Sequence, residues 1–340
     1  MPATAVPALP ASIDAGVAWH YGDPFSEQLA LAAGAALVDL SHRGVIQVTG
    51  TDRLKWLHDL TTQDLKNLGA RESALTLILD SHGRVEYELH LVDDGVTTWL
   101  TVEPQQTEPV RKYLDSMRFM LDVSVEDVSD RFAVVGSGES APRLGSPTWI
   151  IPAEYQGLPV THVRNAGKYV PQRPAALKRS EFVVPRAELA ATLAAAPTLA
   201  GTWAWEALRV AAAVPRAGMD TDNRTIPHEV GWIGPAVHLA KGCYRGQETV
   251  ARVHNLGRPP RRLVLLHLDG AAPEQPQHGD VVAYNGDEVG AVGSFAQHHD
   301  LGPICLAVIK RSVPLDADLT VDPQSGARPV AAKQQPVVVI

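Results

Sequence analysis

The sequence predicts an α+β protein with a small all-β domain at its C-terminal end, on three observations. Strand-like and helix-like segments alternate through roughly the first 135 residues. Two Ala-rich helical stretches run into prolines, at Pro197 and Pro215. Beyond Pro259-Pro260 the chain turns to short apolar runs around an Asn285-Gly286 hairpin signal.

In chain order, residues 1–10 are Ala/Pro-rich and read as a mobile arm, with residues 1–30 set apart from the body. Residues 44–48 alternate as a strand, and Thr51-Asp52 then supply a helix N-cap. Leu54, Leu57 and Leu60 recur at three-residue spacing, which makes 52–60 a short amphipathic helix. Residues 75–79 form an apolar strand, Gly83 turns the chain, and 85–92 alternate as its partner. Residues 97–102 are β-branched and apolar. Pro104 opens a helical stretch to about 119, and Val123, Val125 and 132–135 continue as strands. Residues 137–175 hold many Gly and Pro residues with short apolar runs. Helices are expected over 187–196 and 203–213. Residues 263–268, 281–284, 289–292 and 304–309 make the strands of the last domain, placed at 259–340.

Composition narrows the functional class. A chain of 340 residues exceeds one ordinary core. It contains no run of about 18 uncharged apolar residues, so no membrane span or membrane partner is expected. Residues 1–12 carry no basic group ahead of an apolar run and do not read as a secretory signal. Two cysteines give no disulfide framework and fit a reducing compartment, with a cytoplasmic location as the default. They also exclude a dedicated four-cysteine iron–sulfur site, and no metal site is expected. His298-His299-Asp300 reads as a polar loop, because adjacent histidines in a strand point to opposite faces. The net charge of −8 disfavours broad nucleic-acid affinity without excluding it. Six cationic residues between Lys241 and Arg262 face Glu248 alone, a local +5 that could steer a small anion or an acidic partner.

The densest chemistry is Lys241-Gly242-Cys243-Tyr244-Arg245-Gly246-Gln247-Glu248. A thiol between Lys241 and Arg245, with glycines at 242 and 246, has cations that favour the thiolate and room for a reagent. Cys243 is therefore the candidate nucleophile or redox thiol, with Lys241 its electrostatic partner. Cys305 sits in an apolar strand. Gln247 and Glu248 could bond the loop backbone or a ligand, and a structural Glu248–Arg pair is the alternative. Arg252 lies four residues after Glu248, on the same face of a helix.

This octapeptide resembles the signature of the YgfZ family, folate-binding proteins tied to iron–sulfur cluster maintenance. That family is a branch of the glycine-cleavage T-protein (aminomethyltransferase) superfamily. Asp39-Leu40-Ser41-His42-Arg43-Gly44, Leu208-Arg209 and Ile226-Pro227-His228-Glu229 follow the superfamily order more weakly, while about the first 30 residues and 137–175 match poorly. The resemblance implies two α+β subdomains within 31–258 and a C-terminal β-barrel around a central folate-binding opening. It implies tetrahydrofolate or a derivative as ligand. Glu181, four residues before Pro185, resembles the pterin-binding carboxylate, since a carboxylate accepts both N–H groups of an amino-pyrimidine edge. Arg252 is expected at the folate tail, and Arg209, Tyr244, Gln247 and Glu248 complete the expected binding set. One departure matters. Catalytic T-proteins carry an aspartate pair after a Gly-Gly turn, whereas the matching segment here is Gly83-Arg84-Val85-Glu86-Tyr87-Glu88. Glu88 could stand in, but the extra methylene shifts its carboxylate by an amount that matters for proton transfer.

The expected function is thus a folate-binding protein that supports assembly or repair of iron–sulfur clusters in client enzymes through Cys243, partnered by those clients or by cluster carriers. A tetrahydrofolate-dependent one-carbon transferase is the first alternative. The second is a non-catalytic scaffold for a cluster carrier or tRNA.

Overall fold

The computed structural model describes residues 5–139, 141, 143, 145–157, 173–272 and 274–338. Two five-stranded sheets and a closed six-stranded barrel make up the body, the α+β class with a C-terminal barrel that the sequence predicts.

The first sheet is antiparallel throughout, in the order Ser73–Leu79, Val85–Asp93, Thr97–Val102, Gly44–Thr49 and Ser124–Asp127. Its strands alternate, so Ile46, Val48, Leu89, Leu91 and Leu100 bury against Leu57, Val110 and Leu114 of helices Arg53–Leu60 and Thr107–Ser116. The opposite face, through Val45, Val92 and Trp99, packs on the second sheet. That sheet runs Thr148–Ile150, Ser180–Pro185, Phe132–Ser137, Ala36–Asp39 and Thr198–Ala200, the last pair parallel.

The barrel closes in the order Arg261–Leu268, Gly302–Lys310, Asp287–His298, Val281–Tyr284, Asp318–Asp322 and Val330–Pro336. Alternation again divides its residues: Val264, Leu266, Cys305 and Ile309 fill the interior. Leu263, Leu265, Ile304 and Leu306 face outward onto Ala207, Val210 and Ala211 of helix Thr202–Ala211. That helix turns Ala204 and Trp205 to the sheets, so one element joins all three bodies.

The N-terminal segment departs from expectation. Residues 5–30 are not an arm. Val6–Pro7 pairs with Ala18–His20, and helix Pro24–Ala32 is capped by Asp23. Glu27 accepts the Gly201 N–H at 2.9 Å, and Asp14 is buried on Arg216 at 2.8 Å. Buried acids with specific partners tie this stretch down, and Ala/Pro content carries no information about them. The expected helix over 187–196 shortens to a 3-10 turn Arg186–Glu188 and helix Leu189–Ala194. Strands Thr198–Ala200, Asp318–Asp322 and Val330–Pro336 were not foreseen. Part of the Gly/Pro-rich 137–175 lies outside the described residues. Within it, Thr148–Ile150 is an edge strand.

Candidate functional site

Two places concentrate chemistry: a small cavity where the two sheets meet the segment after helix Thr202–Ala211, and the loop that carries Cys243.

The cavity is walled by Glu88 and His90 of the first sheet, by Glu103 just past its strand Thr97–Val102, and by Trp149, Tyr155 and Arg179 in and beside strands Thr148–Ile150 and Ser180–Pro185 of the second sheet. Arg209 and Arg216 close it. Behind these side chains lies a buried ion-pair network. Arg216 forks onto Glu103 at 2.8 and 2.7 Å and reaches Asp14 at 2.8 Å. Arg209 forks onto Glu206 at 2.9 and 2.7 Å and meets Asp220 at 2.8 Å. Ser294 of the barrel donates to Asp220 and accepts from Arg209. Charges this deep persist because each guanidinium has carboxylates on more than one edge. Burial alone would lower the pKa of Arg209, yet Glu206 and Asp220 raise it above the usual range.

Glu181 stands one layer behind the wall rather than on it. It is 1% exposed and accepts from Arg43 Nη1 and His90 Nδ1, both at 2.8 Å, with Thr101 and Arg179 further off at 3.3 and 3.4 Å. Burial opposes its charge, but Arg43 and His90 hold its pKa well below the usual carboxylate range. Because Glu181 does not line the cavity, in this conformation it orients Arg43 and His90 rather than meeting a ligand. The carboxylates that do face the cavity are Glu88 and Glu103. Glu88 accepts the Ala217 N–H at 2.9 Å. His90 lies flat on Trp149, ring centroids 3.8 Å apart and planes 5° apart. Burial would lower the His90 pKa, but Glu181 and Glu88 raise it above the ordinary value.

A pterin asks for carboxylate acceptors at its amino-pyrimidine edge and for aromatic faces. Glu88, Glu103, Trp149 and Tyr155 fit that chemistry. The space is smaller than the ring. The cavity measures about 30 Å³, room for a water or two, against roughly 300–1,000 Å³ for small-molecule sites. The donor set fits a folate, and admitting one requires the Trp149–Tyr155 wall to move outward.

The thiol loop lies elsewhere, and none of 241–248 lines the cavity. Lys241 is buried, and its ammonium caps the end of helix Arg53–Leu60. It donates to the carbonyls of His58, Thr61 (2.5 Å) and Gln63 (3.2 Å). Burial pulls its pKa down to about 8. Gln247 Nε2 donates to the Lys241 carbonyl at 3.3 Å. Tyr244 is buried in the apolar cluster that also holds Trp149, Tyr155 and Trp232. Gly246 takes φ +81°, and a Cβ there would fall 2.6 Å from the Asp80 carbonyl and 2.8 Å from the Gly83 Cα. Only glycine permits that contact between the loop and the hairpin turn. Cys243 is exposed between these anchored neighbours.

The arrangement revises the expected roles. The Lys241 ammonium is spent on three carbonyls. The Arg245 guanidinium pairs with Glu86 at 3.1 Å. Neither cation pairs with the thiol. Glu248 and Arg252 lie on helix Gln247–Leu256, and both are exposed. No ion pair joins these two residues. Arg209 does line the cavity, whereas Tyr244, Gln247, Glu248 and Arg252 do not. Sequence reasoning missed Glu103, Trp149, Tyr155 and Arg216, which belong to no recognisable motif. Cys305 is fully buried, and burial raises its pKa. Among the described residues, no group of three or more His, Cys, Asp or Glu could hold a metal ion, and no helix is long and apolar enough to cross a membrane.

Residues 18–140 match the GCVT N-terminal domain family. Among curated proteins, the chain is 27% identical over 276 residues to a chloroplastic Arabidopsis thaliana protein named as a transferase. The match covers 77% of this chain and 62% of that protein, so less than two thirds of the relative's length is spanned. An aminomethyltransferase of Parasynechococcus marenigrum is 26% identical over 91% of this chain and 89% of its own. The tRNA-modifying protein YgfZ of Photorhabdus laumondii is 25% identical over 76% and 79%. Among solved structures, the glycine cleavage system aminomethyltransferase T of Bartonella henselae superposes with a TM-score of 0.74 at 18% identity, covering 99% of this chain and 94% of that one, a likeness of fold. The domain match, these relatives and the shared fold together support a place for the chain in the GCV-T-like superfamily.

Proposed function

We propose that the protein binds a reduced folate in the cavity between its two sheets and presents Cys243 to iron–sulfur client enzymes or cluster carriers in a reducing compartment. The observation that carries the folate half is the cavity wall. Two buried carboxylates, Glu88 and Glu103, sit beside aromatic faces at the junction of the three bodies. The pterin edge would lie on a carboxylate, and the ring would replace the His90–Trp149 stack. Arg216 holds Glu103 charged and fixed, and the Ala217 N–H and His90 position Glu88. Glu181 acts one step back, through Arg43 and His90. The thiol half rests on the loop. Lys241, Tyr244 and Gly246 are each immobilised by a different part of the fold, which leaves Cys243 exposed on a rigid support.

Calorimetry with tetrahydrofolate tests the first half. We expect binding that weakens at least tenfold in Glu103→Gln and a change in indole fluorescence that disappears in Trp149→Phe. No heat and no thermal shift at millimolar folate would remove the reading. For the second half, Cys243→Ala should leave folate affinity unchanged and abolish support of iron–sulfur enzymes in cells that lack the native protein. A one-carbon transferase is favoured by one specific feature, the Glu88 carboxylate on the cavity wall. Loss of turnover, but not of binding, in Glu88→Gln would establish it.

A further inference from the structure

The barrel carries a second pocket, about 390 Å³, that shares no residue with the cavity between the sheets. Its walls are three arginines, Arg258, Arg262 and Arg311, together with Ser312 and the turn at 313–315. Arg262 is the unusual member. It is 1% exposed, on the first barrel strand. Its Nη1 donates to Gln334 Oε1 at 3.0 Å and its Nη2 to the Val313 carbonyl at 2.9 Å, while its Nε has no partner. Nη2 also reaches the Pro314 carbonyl at 3.5 Å, and all three acceptors are neutral. Alternation sets it apart from Arg261, which points to the other face and is paired with Asp222 at 2.7 Å and Glu229 at 2.8 Å. Among the described residues no carboxylate lies within ion-pair distance of Arg262, Arg258 or Arg311. A guanidinium buried without a counter-charge is costly, and natural proteins keep such groups paired. Burial pulls its pKa below the usual arginine range with no acid to oppose the effect.

Three unpaired cations that converge on one pocket define an electrostatic vacancy, and we propose that it is a site for a phosphate-type anion. Phosphate suits the vacancy better than a carboxylate does. Its oxygens are tetrahedral and can accept from guanidinium groups on three sides, whereas a carboxylate is planar and accepts best along one edge. The volume falls within the range of small-ligand sites, enough for two linked phosphates. Leu315, half exposed beside them, offers an apolar flank to whatever the phosphate is esterified to. The phosphate could be a free polyphosphate ion or part of a nucleic-acid backbone. Arginine recognises the same group in both.

The test uses the full chain and the exposed Arg258 and Arg311, whose loss should not disturb folding. Pyrophosphate and a short single-stranded RNA are titrated separately into wild type and an Arg258→Ser/Arg311→Ser variant at low salt, with the melting temperature of each protein measured without ligand. We expect wild type to bind pyrophosphate, and the variant to bind at least tenfold more weakly with an unchanged melting temperature. RNA that binds more tightly than pyrophosphate, with the same loss in the variant, assigns the site to a nucleic-acid backbone. Pyrophosphate binding without RNA binding assigns it to a free ion. Absence of binding by both probes, or equal affinities in wild type and variant, overturns the proposal.

Discussion

Replacing Lys241 by methionine separates two accounts of the octapeptide. In the first, the ammonium tunes the neighbouring thiol. In the second, it is an anchor that fastens the loop to the end of helix Arg53–Leu60. The geometry favours the anchor: the ammonium donates to three carbonyls, from residues 58, 61 and 63, and is buried while doing so. Its pKa of about 8 leaves it mostly charged at pH 7, so these bonds are charge-assisted. A hydrogen bond from a charged donor contributes about 1.5–3 kcal/mol, and a carbonyl left buried without a donor costs about 1–3 kcal/mol. The three bonds share one donor and are not additive, and methionine recovers the packing of the stem. A net loss of about 3 kcal/mol follows. Urea unfolding at pH 7 reads this directly. As a control, Arg245→Gln removes a surface pair with Glu86 and should cost no more than about 0.5 kcal/mol. Thiol modification under native conditions supplies the second readout. If Lys241→Met keeps wild-type stability and slows modification of Cys243 tenfold, the lysine is a tuner and the anchor account is wrong.

Three further expectations rest on equally local geometry. Gly246→Ala forces a side chain into φ +81° and against the Asp80 carbonyl and Gly83 Cα, and should cost about 3 kcal/mol in a urea titration, combining left-handed strain with overpacking. His90 has a folded pKa raised above its unfolded value of about 6.5, so its pairing with Glu181 stabilises fully below that pH and is lost as pH rises through the folded value. Wild type should therefore lose stability relative to His90→Gln as pH rises from about 6.5 through the folded value, and parallel curves would show that folding does not raise the His90 pKa. A chromogenic thiol reagent should modify one thiol per chain in the native protein, at Cys243, and reach Cys305 only after unfolding; two equally fast thiols would contradict the barrel interior.

Most of the fold was legible because periodicity survives wherever one face of an element is buried. The strand at Gly44–Thr49 follows from alternation, that at Thr97–Val102 from its β-branched and apolar content, and the Asn285-Gly286 hairpin from turn chemistry, the two turn residues taking φ +53° and +85°. The last two barrel strands, Asp318–Asp322 and Val330–Pro336, escaped because their apolar residues are few and, beyond pairing with each other, each is held by a sequence-distant strand. The candidate site was legible only where it is contiguous. The octapeptide stands in one stretch, and its exposed cysteine could be picked out. The cavity is assembled from 43, 88–90, 103, 149–155 and 209–216, and no spacing rule links a carboxylate at the end of one sheet to a guanidinium beyond a distant helix. Even within the octapeptide, charge proximity in sequence does not show that the Lys241 ammonium reaches the carbonyls at the helix end. A side chain of that length can turn away from its neighbour, and nothing in the local pattern says which carbonyls will receive it.

The cavity and the thiol loop are separate surfaces of one packed body. Tyr244, beside Cys243, shares a buried apolar cluster with Trp149 and Tyr155, which wall the cavity, and with Trp232 and Val230. Interiors packed at crystal-like density do not yield locally without cost to their neighbours. Enlarging the cavity from about 30 Å³ to hold a ring must displace Trp149 or Tyr155, and those residues cannot move without repacking the cluster on which Tyr244 rests. Lys241 and Gly246 oppose that motion on either side of Tyr244, through the helix end and the hairpin turn. The octapeptide is therefore best understood as a clamp that restrains the cavity wall as well as holding the exposed thiol still. A substitution that loosens the clamp should be felt at the cavity before it is felt at the sulfur.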